Sequence, residues 1–277
     1  MPVFLFALSQ AAQIHWPSAI LAFVILHLLV YPSSNGYNSY MDRDQTPIGG
    51  LSHPLQPSRQ LFYVSVVMDM AAIVFSFFIS PLFALGILLY ILASRAYSFR
   101  GLRLKQYPVI GFLTVFIFQG ALVFFLSYHA IQKTNFYSSF LLQYHPAVVP
   151  LLPCLVASLL IGALYPLTQI YQHEEDLQDG VRSISFLLGK RGSFIFSSLL
   201  FLSATFLLFI RFYKQDQLKF FYLFLLIMFP VVVFFVAWMV KVWQHEEQAN
   251  FRNSLRMNII ASICTSAFFI TLITLNH

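Results

Sequence analysis

Charge is scarce in this chain: Asp, Glu, Lys and Arg make up only 9% of its 277 residues, while 59% are apolar. With a mean hydropathy of +0.75, that proportion excludes a soluble globular domain. Cysteine is nearly absent too. Cys154 and Cys264 each sit inside an apolar run and read as small apolar fillers, so neither a disulfide framework nor a zinc site is suggested. No basic region precedes the apolar MPVFLFALSQA at the start, so that stretch lacks the form of a cleaved signal peptide. It is also too short to cross a bilayer.

Apolar length is what the chain has in abundance. Eight runs are long enough to span a hydrocarbon core of roughly 30 Å as helices: about 17–34, 60–79, 81–97, 108–128, 147–170, 193–212, 219–242 and 257–275. They are continuously apolar, which excludes the alternation of barrel strands. The expected fold is therefore all-α, a polytopic membrane helix bundle with eight predicted spans, forming one integral-membrane domain over 1–277. Pro32 is expected to kink the first span, and Pro81 to open a tight hairpin between the second and third.

The net charge of +6 invites comparison with nucleic-acid binders, but the bases follow the loops. Twelve lie on the face that carries the 35–59 loop, against Lys133, Arg211, Lys214 and Lys219 on the other. By the positive-inside rule the first face is cytoplasmic, and the expected setting is a cell inner membrane with the site facing the cytoplasm. No nucleic-acid partner is implied.

The acids converge on that same face. His27, Tyr31, Asn35, Asn38 and Asp42 recur at intervals of four, four, three and four, a polar stripe along one helix face. Asn38 and Asp42 could present two oxygens to one cation, with Asp44 off the face. YQHEEDLQDG repeats the arrangement after the fifth span: Gln169, Gln172, His173, Asp176 and Gly180 share a face, and Glu175 and Asp179 form a neighbouring row. Such stripes also hold membrane bundles together, and helix ends are often acidic simply because they meet water. QHEE recurs at Gln244 to Glu247, where coincidence is the simpler account. Asp69 stands about ten residues into the second span, a functional candidate or a hydrogen-bonded packing residue.

Between the two acidic loops lies a basic one, with Arg95, Arg100, Arg103 and Lys105 interleaved with Tyr97, Phe99 and Tyr107. Mg²⁺ prefers oxygen ligands and often bridges carboxylates to substrate phosphates. Acids and bases together suit a diphosphate held by Mg²⁺ and clamped by Arg and Lys, with a hydrocarbon tail in the apolar interior.

These residues resemble the UbiA superfamily of intramembrane prenyltransferases. Its first motif is written N-D-x-x-D-x-x-x-D, and Asn38, Ser39, Asp42 and Thr46 occupy the four named positions here. Its second places an Asp pair at spacing four ahead of a Gly and a downstream L-G, which fall on Gln172, Asp176, Gly180, Leu188 and Gly189. Ser39, Thr46 and Gln172 stand where the family has Asp. The loop YSFRGLRLK is similar to the family's Tyr/Lys/Arg loop. The resemblance implies a nine-helix fold whose first helix is missing or truncated here. It also implies Mg²⁺-dependent transfer of a prenyl group from a prenyl diphosphate to an aromatic or other lipophilic acceptor in the lipid bilayer. Asp42 and Asp176 would be catalytic. Asn38, Asp42, Asp44, Glu175 and Asp176 would serve the metal, and Asn38, Arg100, Arg103, Lys105, Gln172 and His173 the substrate. A transporter or a non-catalytic lipid-binding protein that keeps the fold is the alternative.

Overall fold

A computed structural model describes residues 1–43, 47, 50–133 and 150–276. Among these, the chain forms helices only: α1 (Pro2–Gln10), α2 (Trp16–Asp42), α3 (Arg59–Ser76), α4 (Pro81–Ser98), α5 (Pro108–Gln132), α6 (Leu151–Gln169), α7 (His173–Gln178), α8 (Ile184–Lys214), α9 (Leu218–Gln244) and α10 (Phe251–Asn276). All except α1 and α7 are long and apolar enough to cross a membrane, which makes eight, as the apolar runs predict. Their outward faces carry large apolar side chains such as Val67, Met70, Leu202 and Leu226, each more than half exposed. Water would not tolerate so continuous an apolar surface; lipid solvates it. The protein is a multi-pass integral membrane protein.

Three local departures from the sequence reading shape the bundle. The N-terminal MPVFLFALSQA, read from its length only as too short to span, folds as an ordered helix. Its nine residues reach about 14 Å at 1.5 Å per residue, too short to span. It packs against α5 and α10, with Phe6 stacked on Phe269 and tilted against Phe124 at centroid distances of 4.6 and 4.8 Å. The first span runs eight residues past the expected end at 34, to Asp42. Pro32 does not break it, because the turn before it, Ile25–Val30, is widened to π-helical form and the Tyr31 amide donates to the Leu26 carbonyl. A widened turn absorbs the missing proline donor and lets the helix continue.

The third departure lies in α8, where Gly189 takes φ 69°, a left-handed conformation that only glycine adopts at little cost. The helix breaks there, one turn inside its start. Elsewhere close packing depends on small residues. A Cβ at Gly120 would lie 2.4 Å from the Ser158 Cα, so α5 and α6 touch backbone to backbone. Ser158 donates to the Phe116 carbonyl across the contact at 2.7 Å.

Asp69, the intramembrane acid, is neutralised within the bundle. Arg95 of α4 pairs with it through Nε at 2.9 Å and through a second guanidinium nitrogen. Ser33 of α2 bonds to its other oxygen and accepts from Arg95 at 2.8 Å, while Tyr37 stacks under the guanidinium at 3.9 Å. The pair therefore ties α2, α3 and α4 together, and the packing reading of Asp69 is the one its surroundings match. Removing one partner of a buried ion pair costs about 3–5 kcal/mol, because the other charge is left uncompensated. Arg95→Leu should destabilise the protein by about that amount in thermal unfolding in detergent, and Asp69→Leu on top of it should recover much of the loss. A single Arg95→Leu variant as stable as wild type would contradict this.

Candidate functional site

The helices alternate in direction, so the C-terminal ends of α2, α4, α6 and α9 meet the N-terminal ends of α3, α5, α8 and α10 at one end of the bundle. The last turns of α2 place Asn38 and Asp42 on one face. Asp42 is buried, and its carboxylate is gripped by two cations from the α4–α5 loop. Lys105 pairs with one oxygen, and Arg103 stands 3.5 Å from the other. Arg103 sits in the left-handed region at φ 43°, unusual for a residue with a Cβ, and a contact network on both sides holds it there. Its guanidinium also pairs with the Asp179 carboxylate and donates to the Asp179 carbonyl at 2.8 Å. One arginine thus bridges the end of α2 to the turn after α7.

Asp176 lies in the first turn of α7. Burial is the main reason its carboxyl rises to about 6; Lys105 opposes the rise, while Asp42 and Glu175 add to it. Its Oδ2 is buried without a hydrogen-bond partner. Tyr97 of α4 and Tyr165 of α6 share a hydrogen bond of 2.5 Å and lie within electrostatic reach of Asp176.

The remaining predicted site residues divide. Asn38 accepts from Ser98 at 2.6 Å and lines the same cavity as Gln172. Arg100 is engaged elsewhere: its Nε donates to the Met41 carbonyl at 2.8 Å, capping the end of α2. His173 bonds through Nε2 to Ser185 at 2.8 Å, and burial, helped by Lys190, holds its ring down at about 4. It is neutral near pH 7 and turned toward α8. Glu175 faces an outer cavity, whereas Asp44 and Thr46 lie outside the described residues.

Two cavities sit at this end. The outer one, of about 730 Å³, is charged, with Asp42, Arg43, Glu174, Glu175 and Asp179 on its walls. The inner one, of about 420 Å³, reaches down to Tyr90 and Gln119 and carries hydroxyl and carboxamide groups. Sequence reasoning missed Gln119, Tyr165 and Asn258, which stand within apolar runs read as membrane filler. The available signal was their polarity at membrane depth.

Among the described residues no three His, Cys, Asp or Glu side chains converge on one metal position. Mg²⁺ does not need three, since one or two carboxylates, waters and substrate phosphates commonly suffice. The unpartnered Oδ2 of Asp176, electrostatically coupled to Asp42, fits one such hydrated ion. The set does not form a cage closed by protein alone.

The family model for the UbiA prenyltransferase family matches residues 1–261. The chain belongs to this family. The match takes in both acidic loops, the basic loop and the short α1. Solved UbiA-type structures share the fold. A UbiA homolog from Archaeoglobus fulgidus is 16% identical, with 99% of this chain and 94% of that one covered at a TM-score of 0.65. The apo UbiA homolog from Aeropyrum pernix K1 is 15% identical, covering 98% and 97% at 0.64. An Archaeoglobus fulgidus homolog bound to GPP and Mg²⁺ is 16% identical, covering 99% and 95% at 0.61. No curated protein matches the chain.

The raised Asp176 carboxyl makes a stability prediction for this UbiA-type site. Its folded pKa lies above the ordinary 3.8, so its favourable contribution is full below that value and is lost as pH rises through about 6. Asp176→Asn, which mimics the protonated acid, should stabilise the protein by about 1–3 kcal/mol near pH 8 and by little near pH 4. Thermal unfolding at the two pH values checks this; an equal difference at both would contradict it.

Proposed function

We propose that the protein transfers a prenyl group from a prenyl diphosphate to a lipophilic acceptor within the membrane, working as one domain over its whole length. The observation that carries this reading is the Asp42, Lys105, Arg103 and Asp179 network in electrostatic reach of Asp176, with Asp42 and Asp179 on the wall of the outer cavity. Family membership, and the GPP and Mg²⁺ bound by the Archaeoglobus fulgidus homolog, support it.

In the free protein, Asp42 holds Lys105 and Arg103 in place. An arriving diphosphate competes for those cations with more negative charge, so both side chains can turn to its oxygens without leaving the site. Mg²⁺, held by Asp42 and Asp176 with the diphosphate oxygens, would draw off charge from the leaving group. Bond breaking sends the electron pair of the C1–O bond out with the diphosphate. The acceptor's nucleophilic atom bonds to the prenyl C1 and gives up its proton, which leaves through the aqueous mouth. The Tyr97–Tyr165 pair forms part of the wall of the inner cavity and would help keep bulk water from the allylic carbon. Asn38 and Gln172 orient the bound molecules. Arg100 and His173 act indirectly, by fixing the ends of α2 and α7. The charge asymmetry of the loops supports a site on the cytoplasmic side of a cell inner membrane.

The transporter reading rests on Asp69, whose charge is held by Arg95. Asp42→Ala and Asp176→Ala should each abolish diphosphate release from a prenyl diphosphate in the presence of Mg²⁺ and an acceptor panel, Asp176→Ala without loss of folding and Asp42→Ala in a protein that is destabilised but still folded. Lys105→Met should lower turnover by at least about 100-fold, the scale of losing one preorganised charge at a leaving group. Wild-type turnover in both aspartate variants would refute the site.

A further inference from the structure

The inner cavity has an unusual wall for a void between membrane helices. Six of its lining side chains are carboxamides: Asn35, Asn38, Gln119, Gln169, Gln172 and Asn258. None of its described lining residues is charged. Arg103 and Lys105 pair with Asp42 and Asp179, outside the lining of this cavity. A molecule bearing its own carboxylate or phosphate would therefore lose hydration on entering a space whose lining offers no counter-charge, which is unfavourable. A purely hydrocarbon occupant would strip water from the amides and return nothing to them.

One atom indicates the polarity of what does bind. Gln169 donates through Nε2 to the Tyr165 hydroxyl at 3.0 Å, but its Oε1 is buried without a partner. A buried carbonyl oxygen with no partner in the protein is an acceptor site for an O–H or N–H entering the cavity. Gln119 reinforces this. It stands in the widened turn Phe116–Leu122 of α5, a backbone irregularity that turns a polar side chain toward the cavity, where Tyr90 is bonded to it and to Ser34.

We infer that the inner cavity binds a neutral acceptor carrying more than one hydroxyl group, one of them donating to Gln169 Oε1, and discriminates against acceptors with an ionised group. Calling the ligand an acceptor rests on the prenyl-transfer reading; the cavity's preference for neutral hydroxylated molecules does not.

The test is equilibrium binding to the full-length protein in nanodiscs near pH 7.5, using a matched pair of probes, 3,4-dihydroxybenzyl alcohol and 3,4-dihydroxybenzoate, with inorganic pyrophosphate titrated separately. The alcohol should bind at least about tenfold more tightly than the carboxylate, the scale of one hydrogen bond or one uncompensated charge. Gln169→Leu should weaken alcohol binding by about tenfold while pyrophosphate binding stays unchanged, and Gln119→Leu, at a second position on the wall, should weaken it as well. Equal or tighter binding of the carboxylate overturns the inference. So does binding of neither probe, or alcohol binding untouched in both variants. Failure to bind pyrophosphate, with the alcohol preference intact, would instead count against prenyl transfer and leave the cavity assignment standing.

Discussion

One buried carboxylate organises the functional end of this bundle. Asp42 ends the first long helix, and the two cations it attracts come from the α4–α5 loop; one of these, Arg103, reaches on to Asp179 beyond α7. Three chain segments far apart in sequence are thereby held at one point. An exposed ion pair would contribute little, but here the carboxylate is buried, so separating the partners would leave charge in a poorly solvated place. On the proposed function, the same grip keeps two cations preorganised for a ligand more anionic than Asp42 itself. Structural cohesion and the proposed anion recognition would then draw on one set of charges.

Elsewhere in the candidate site the fold gives up stability. Asp176 is partly buried with its Oδ2 buried and unpartnered, and its raised pKa reflects what the fold gives up to keep it there. The amide-lined cavity is a similar cost, since each amide there could have been an apolar side chain and Gln169 Oε1 is left unpaired. By contrast, Asp69 is fully used: every contact it makes joins helices.

Much of the fold was legible in the sequence because lipid imposes a simple rule: a spanning segment must be long, apolar and helical. The eight spans, the alternation of loops and the gathering of acids and bases at one end all follow from it. What the apolar pattern could not give was the behaviour of short or irregular pieces. α1 is too short to register as a span, yet tertiary packing around Phe6 makes it a helix. The extension of α2 to Asp42 crosses a polar stretch, YPSSNGYNSYMD, whose helicity comes from packing rather than propensity. Within the site, Asn38, Asp42, Arg103, Lys105 and Gln172 gather at one end. Arg100 and His173 share the composition of ligand residues but are turned to backbone and to α8, a distinction that spacing alone does not encode. Gln119, Tyr165, Gln169 and Asn258 became meaningful as a set only when the helices placed them on one cavity.

The central claim is that Asp42, Lys105 and Arg103 form a standing diphosphate site completed by a divalent cation. Its most direct measurement is equilibrium binding of a non-hydrolysable geranyl diphosphate analogue to the protein in nanodiscs, with Mg²⁺ and with chelator. Saturable binding that Mg²⁺ strengthens and Lys105→Met removes is the expected result. No saturable binding in either condition, or binding indifferent to the loss of Lys105, would contradict it.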